Sequence, residues 1–449
     1  MKYSNDRLGA ALKLYLGGNP LPMHMPGHKR NPDFISHEFT RDITEIEGFD
    51  NLHNPTGLLK DLEDAAAELY GADKAYVSVN GSTAMLLAAI SSCLMTFPGT
   101  KVLAAMNCHL AVWHALEITN ASVVPLMPSC DEALPFPGTV SASDIEKILA
   151  RNPDIKTVII TSPTYEGVIS DTEAIYRVTR KYDAVLITDS AHGAHLGLNP
   201  FWGLKSSGDL VVTSIHKTLS APTQTALLLS SEGSPVSEEA IRHYIDVYES
   251  SSPSYVLLKG VSRCIADLTK KPCIMDVWID GVKLAEESLS SLGGFKFWNT
   301  PVKDRSKIII LGDGISLGEH LRFDFGIECE AMYPTHLIAM TGIGDTYDSI
   351  KRFCDAVIET DKSFDAYVPG TYTARPVPQL VEPIGKSALA LVKAEEVPFE
   401  ESCGRISCEY IYSYPPGVPV LIPGELITQK TLDCIDSGSS SPRTVKVLP

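Results

Sequence analysis

Three short stretches of the chain gather residue types that can do chemistry. Ser214-Ile215-His216-Lys217-Thr218 follows an apolar run. A lysine just past a buried strand can have its amine pKa lowered by desolvation and neighbouring cations, which makes it a nucleophile toward an aldehyde. Upstream, Thr188-Asp189-Ser190-Ala191-His192-Gly193-Ala194-His195 closes another apolar run. A carboxylate at the end of a buried strand needs a cation or a donor, because an unpaired buried charge is costly. A protonated pyridine nitrogen would serve; alternatively, Asp189 caps a helix or pairs with His192 for structure alone. Further upstream, Asn80-Gly81-Ser82-Thr83-Ala84 opens an apolar helix. Its backbone N–H groups, two hydroxyls and helix dipole suit a phosphate, and an ordinary N-cap is the other reading.

These residues need elements to position them. From about Lys60 to Ser230 short apolar runs alternate with helical patterns, the signature of strands joined by crossover helices in a mostly parallel sheet. The expected strands are Ala75–Val79, Lys101–Ala105, Ser122–Leu126, Thr157–Thr161, Ala184–Thr188, Leu210–Thr213 and Thr225–Leu229, all apolar enough to be covered on both faces. Leu58, Leu62, Ala65, Ala66 and Leu69 recur at helical spacing before a stop at Gly71. Residues 1–55 are broken by Pro20, Pro22, Pro26, Pro32 and Pro55 and read as an N-terminal arm without a core of its own. Residues 56–275 form the expected large domain. Helices are expected near 237–249, 258–270, 275–291, 347–359 and 385–394 and strands near Lys307–Leu311 and Cys408–Tyr412, and residues 276–449 read as a smaller α+β C-terminal domain.

The 449 residues are 44% hydrophobic and 21% charged, the balance of a folded globular protein. Lys and Arg total 38 against 55 Asp and Glu, and the net charge of −17 disfavours nucleic acid and anionic lipid as partners. No apolar run approaches the ~20 residues of a membrane span, and the first residues lack a signal core, so a cytoplasmic protein is expected. The ten cysteines include no C-x-x-C pair, and they read as reduced, mostly buried small hydrophobes with no metal site. Gly342-Ile343-Gly344-Asp345 lacks the third glycine of a dinucleotide fingerprint.

A glycine turn with hydroxyls, then a strand-end Asp, then a strand-end Lys is the order expected of a pyridoxal phosphate (PLP) enzyme with the aspartate-aminotransferase-like fold, fold type I. More specifically, Met23-His24-Met25-Pro26-Gly27-His28-Lys29, Asp42-Ile43-Thr44-Glu45, Val79-Asn80-Gly81-Ser82-Thr83, Asn107-Cys108-His109, Ser162-Pro163-Thr164-Tyr165 and the Asp189 and Lys217 stretches resemble signatures of the Orn/Lys/Arg decarboxylase family, bacterial type. Ser251-Ser252-Pro253-Ser254-Tyr255, Gly404-Arg405-Ile406-Ser407, Tyr414-Pro415-Pro416-Gly417-Val418-Pro419 and Pro423-Gly424-Glu425 continue the resemblance. The length is similar to that of short members without an N-terminal wing domain.

The resemblance implies that Lys217 holds PLP covalently, Asp189 pairs with the pyridine nitrogen and His109 stacks on the ring. It implies that Ser82, Thr83, Ser214 and His216 surround the phosphate, that Ala191 packs on the far face of the ring, and that His192 belongs to the cofactor site. The activity implied is decarboxylation of arginine, lysine or ornithine, arginine being preferred, by a homodimer or higher homo-oligomer with shared active sites. Glu45, Glu401, Glu409 and Glu425 are candidates for the distal cation by chemistry alone. The chain departs from the family pattern at Met106 and Leu110, where basic residues are usual. The alternatives are an aminotransferase or lyase, which would need an arginine clamp such as Arg405, and a catalytically silent PLP-binding protein.

Overall fold

The computed structural model describes residues 6–18, 25–26, 29, 33, 36–131, 133–271, 273–301, 303–368, 375–413, 417–436 and 443–449. All seven apolar runs become strands, with ends shifted by at most a residue or two: β1 (Lys74–Ser78), β2 (Lys101–Ala105), β3 (Ser122–Leu126), β4 (Ile155–Thr161), β5 (Val185–Asp189), β6 (Leu210–Thr213) and β7 (Ala226–Ser230). They form one sheet in the order β1-β7-β6-β5-β4-β2-β3. The pairs β2–β3, β2–β4, β4–β5 and β5–β6 are parallel, and β7 runs antiparallel to both β1 and β6. The α/β class and the mostly parallel sheet expected from the sequence are therefore present.

The absence of polar alternation in these strands has a direct cause. Ala75, Val77, Leu227 and Leu229 enter one buried cluster, whereas their neighbours Tyr76, Ala226 and Leu228 enter another on the opposite face. Successive side chains point to opposite faces, and here both faces are covered. The helix Gly81–Thr96 covers one face, with Met85, Leu86, Ala89 and Ile90 buried. Helices Leu58–Tyr70 and Tyr255–Lys270 contribute to the other cluster.

A second, antiparallel sheet contains β8 (Lys296–Trp298), β9 (Lys307–Leu311), β10 (Ala331–Tyr333) and β11 (His336–Met340) in the order β10-β11-β9-β8. Helices Asp276–Ser288 and Tyr347–Asp361 cover the face bearing Ile308, Ile310 and Leu337. The opposite face, with Ile309, Leu311 and Ile338, packs against Phe136, Tyr165 and Val168. This contact lays the loop after β4 onto the second sheet. Farther on, Val397, Phe399, Leu421, Ile427, Leu432, Val445 and Val447 form a separate cluster around two short antiparallel strand pairs.

Two expectations change. Cys408–Tyr412 is not a strand as a whole: the strand is Ile411–Ser413. The Ser407 hydroxyl donates to Glu409 O (2.8 Å) and accepts from Glu409 N (3.2 Å), a local turn that competes with ladder pairing. All ten cysteines are free, but only five are buried; Cys130, Cys273 and Cys403 are exposed. The arm, for its part, fills a core with help from the rest of its own chain. Leu8, Leu12, Ile43, Phe49 and Leu52 are buried in the cluster that holds Tyr255 and Leu258. Asp6 caps the helix Arg7–Gly17 and accepts from the Ser262 hydroxyl at 2.7 Å. His24, His28 and Tyr414-Pro415-Pro416 lie outside the described residues.

Candidate active site

The carboxyl ends of β2, β4, β5 and β6 converge, and this edge of an α/β sheet is where ligands bind. Asp189 ends β5, between Thr161 of β4 and Val212 of β6. It is 2% exposed and accepts from Ala191 N–H at 3.1 Å. Burial pushes its pKa up, against the pull of His109 and Lys217. Among the described residues no cationic side chain hydrogen-bonds this carboxylate, so the pairing with His192 considered from the sequence is not made. His192 turns instead to Lys217.

Lys217 sits on the single helical turn Ile215–Thr218 that follows β6. Its Nζ lies 2.9 Å from His192 Nε2. Burial lowers the amine pKa, while Asp189 and Glu330 oppose that shift. Burial, then Lys217 and Lys307, hold His192 well below the ordinary imidazole range. A neutral imidazole that accepts from the amine at Nε2 carries its proton on Nδ1. That Nδ1 is buried without a partner, a donor still in need of an oxygen.

The helix Gly81–Thr96 starts beside this pair. Gly81 has φ +77°, a left-handed conformation that an L side chain would strain, and its N–H bonds to Gln224 O at 3.0 Å. No side chain caps this helix; Asn80 instead donates to Tyr248 O at 3.2 Å. The ordinary side-chain N-cap is thereby excluded, and no capping side chain occupies the first-turn N–H groups, which suits an anion. Ser214 Oγ meets Ser82 Oγ at 2.9 Å, and Ser214 N–H bonds to Ala191 O at 3.3 Å, which joins the three predicted cofactor-site segments directly. Thr83 is exposed on the first turn. His216 commits Nδ1 to Thr225 O at 2.8 Å, so its Nε2 edge is the one left for a ligand.

His109 caps the helix Leu110–Ile118 by accepting from Ala111 N–H at 3.1 Å. Burial lowers its pKa, with Asp189 opposing and Lys217 assisting. A neutral flat ring electrostatically linked to both Asp189 and Lys217 suits stacking on a heterocycle. Met106 is buried and Leu110 packs on the same apolar cluster, so the two family-atypical side chains fill core space. Leu110 N–H also bonds to Gly417 O at 2.8 Å, tying this helix to the C-terminal region.

The structure brings in two residues to which the sequence by itself assigned no role. Tyr165 stands edge-on to His192, with ring centroids 5.4 Å apart, and donates to Glu330 Oε1 at 2.9 Å. Glu330 borders a cavity of about 270 Å3 that Glu328, Asp345 and Thr341 also line. Tyr165 was visible within a motif, whereas Glu330 belongs to none. Of the carboxylates proposed for the distal cation, Glu425 is paired with Arg375 at 2.6 Å and Glu409 accepts from Lys446 N–H at 2.7 Å. None of the four shifts Lys217, and Glu330 does.

The residues present fit PLP: a buried carboxylate for a ring N–H, an uncapped helix with hydroxyls for a phosphate, and a neutral ring for the π-face. A buried amine and an unpartnered His192 Nδ1 complete the set.

Comparison with known proteins agrees with this class of enzyme. The chain matches the Orn/Lys/Arg decarboxylase major domain over residues 8–320 and the corresponding C-terminal domain over residues 369–437. It is 30% identical to YaaO, an uncharacterized protein of Bacillus subtilis, over 95% of this chain and 93% of that one. It is 27% identical to an arginine decarboxylase of the same organism, covering 97% and 94% of the two chains. The solved lysine decarboxylase LdcF of Francisella novicida superposes with a TM-score of 0.83 at 18% identity, covering 98% of this chain and 81% of that one. The fold is that of the fold type I PLP enzymes. The chain belongs to the Orn/Lys/Arg decarboxylase family, and it is an amino-acid decarboxylase of that family.

Proposed function

We propose that this protein decarboxylates a basic amino acid, arginine in preference to lysine or ornithine, using PLP held on Lys217. It acts in the cytoplasm as a source of polyamine precursors. The observation that carries the reading is the buried, cation-seeking Asp189 beside a lysine that hydrogen-bonds to a neutral histidine. PLP, when bound, supplies an electron sink for the electron pair left as CO2 departs. Asp189 keeps the ring nitrogen protonated, since a carboxylate beside a cation favours the charged pair. His109 would cover one face of the ring and Ala191 the other, while Ser82, Thr83, Ser214 and His216 would hold the phosphate.

Loss of CO2 consumes one proton. Lys217 Nζ and His192 form the hydrogen-bonded pair nearest to hand for holding it, and Tyr165 connects His192 to the rim at Glu330. The aminotransferase alternative requires an arginine for the substrate carboxylate. Arg405 is occupied by Glu395 Oε2 at 2.6 Å and Leu448 O at 2.7 Å, which removes the sequence candidate for that clamp. Release of CO2 and amine from arginine, lysine and ornithine, each monitored with proton uptake, tests the activity and ranks the substrates. Keto acid production without CO2 would reverse the choice.

Glu330 is the carboxylate we assign to the distal ammonium or guanidinium. Glu330→Gln should raise KM by roughly ten- to a hundredfold, the scale of one charge-assisted hydrogen bond, with a smaller change in kcat. An unchanged KM would move the distal site elsewhere. Because Glu330 is exposed, the exchange should leave thermal stability near that of the parent.

The site is further proposed to be shared across a homodimer or higher homo-oligomer. Ser251 and Ser252 are exposed beside the helix Tyr255–Lys270, while Tyr255 is fully buried and donates to Asp50 O at 2.7 Å. This anchors the segment at one end and leaves its serines open to a second copy. An inactive Lys217→Ala chain mixed with a chain inactivated at Ser251 and Ser252 should recover part of its activity on subunit exchange. Proven exchange without recovery would exclude sharing.

A further inference from the structure

The structure contains a buried polar chain that the chemistry above does not use. His195, fully buried, packs against the paired indoles of Trp202 and Trp278, with centroids 5.0 and 5.4 Å away. Its Nε2 is 2.8 Å from Asp304 Oδ1, and its Nδ1 is 3.2 Å from Thr218 Oγ1. Asp304 lies in the connection between β8 and β9 of the second sheet; Thr218 immediately follows Lys217. We propose that Asp304 is a positioning residue that acts through His195 and Thr218 to fix the turn bearing Lys217, coupling the second sheet to the cofactor lysine. This rests on Lys217 being the residue that takes PLP.

The direction of the Asp304–His195 hydrogen bond follows from elementary chemistry. Burial raises the Asp304 pKa, but His195 and Lys307 outweigh it and hold the group well below the usual carboxylate range. As a carboxylate it only accepts, so His195 Nε2 carries a proton and donates. Nδ1 meets the Thr218 hydroxyl at 3.2 Å, and this contact orients that side chain. Because the ring is fully buried against the paired indoles, no solvent water reaches it to replace a lost partner, so the chain holds one geometry.

Independent contacts run between the same two bodies. Ile343 N–H bonds to Thr218 O at 2.9 Å, and Asp304 N–H bonds to Gly167 O at 2.8 Å. Gly167 is two residues past Tyr165, so Asp304 also secures the loop that carries Tyr165. The remaining Asp304 oxygen, Oδ2, and Lys307 Nζ are buried without hydrogen-bond partners. Glu166, Glu330 and Lys217 are the other charged groups acting on Lys307, which burial pushes down to about 8. Asp304 is thus oriented chiefly by His195 and by Ser306 N–H at 2.9 Å.

The test compares Asp304→Asn, Thr218→Val and the double variant, following PLP uptake by the cofactor-free protein and the visible circular dichroism of the bound chromophore. Each single change should slow uptake on Lys217 by about tenfold and alter the visible dichroism, as loss of one directed buried hydrogen bond allows. The double variant should be no slower than the slower single one, because both changes break the same chain. Multiplicative effects, or uptake and dichroism like those of the parent in Thr218→Val, would overturn the proposal. If Asp304→Asn fails to fold, Thr218→Val alone decides by the same readouts. Additive variants of a parent that takes PLP on Lys217 sink this inference alone; uptake of PLP on another lysine sinks the cofactor assignment as well.

Discussion

A Lys217→Ala chain should lose essentially all decarboxylation, a fall of roughly a thousandfold or more, since removing a covalent catalytic group costs far more than removing a binding contact. Lys217 is the amine that burial makes nucleophilic, and its Nζ already has His192 as a partner. Because burial lowers its pKa, the neutral, reactive amine appears at a lower pH than on surface lysines. Borohydride treatment of the parent loaded with PLP should therefore fix the cofactor on one peptide, the one containing Lys217, at near-neutral pH. The Lys217→Ala chain should bind PLP without fixing it. Reduced PLP on a different peptide in the parent would refute the assignment. Thermal unfolding of the two chains should be similar without cofactor, because truncation here removes a buried cation as well as some packing.

Asp189→Asn should leave PLP uptake on Lys217 intact while slowing turnover by about 10²–10³-fold, the range seen when one preorganised electrostatic contact is removed. The amide keeps the shape and can still accept from Ala191 N–H, now at 3.1 Å. What it lacks is the charge that keeps a ring nitrogen protonated. The phosphate contacts at Ser82 and Ser214 lie on other elements and are unaffected. The loss should therefore fall on kcat, with the cofactor affinity changing little. Parent-like turnover in this variant would mean that the ring nitrogen has another partner.

Much of the framework was legible because it depends on neighbours in sequence. Ile187 and Thr188 lead to Asp189 along a strand covered on both faces, and a run that apolar admits few other conformations. Gly81 at the start of an apolar helix marked a turn by its backbone freedom, and it is found at φ +77°. The order of Ser82, Asp189 and Lys217 along the chain indicated a common edge, since in a parallel sheet every such strand delivers its carboxyl end to the same side. Less was legible where polar side chains redirect the backbone. Ser407 bonding to Glu409 shortened an expected strand, a choice that apolar pattern does not encode.

By itself, then, the sequence determined the seven strands of the main sheet, the edge at which chemistry occurs and the residue types gathered there, because periodicity and turn chemistry act over a few residues. Only the tertiary structure decided which groups meet across long separations. Tyr165 reaches Glu330, and His195 reaches Asp304, between a loop or turn of one sheet and the border of another. It also decided that Leu8 and Leu12 of the arm join their own chain's core, and that His109 caps a helix beside Asp189. Such contacts depend on how two sheets pack face against loop, a property of the summed burial of many side chains, and no local spacing records it.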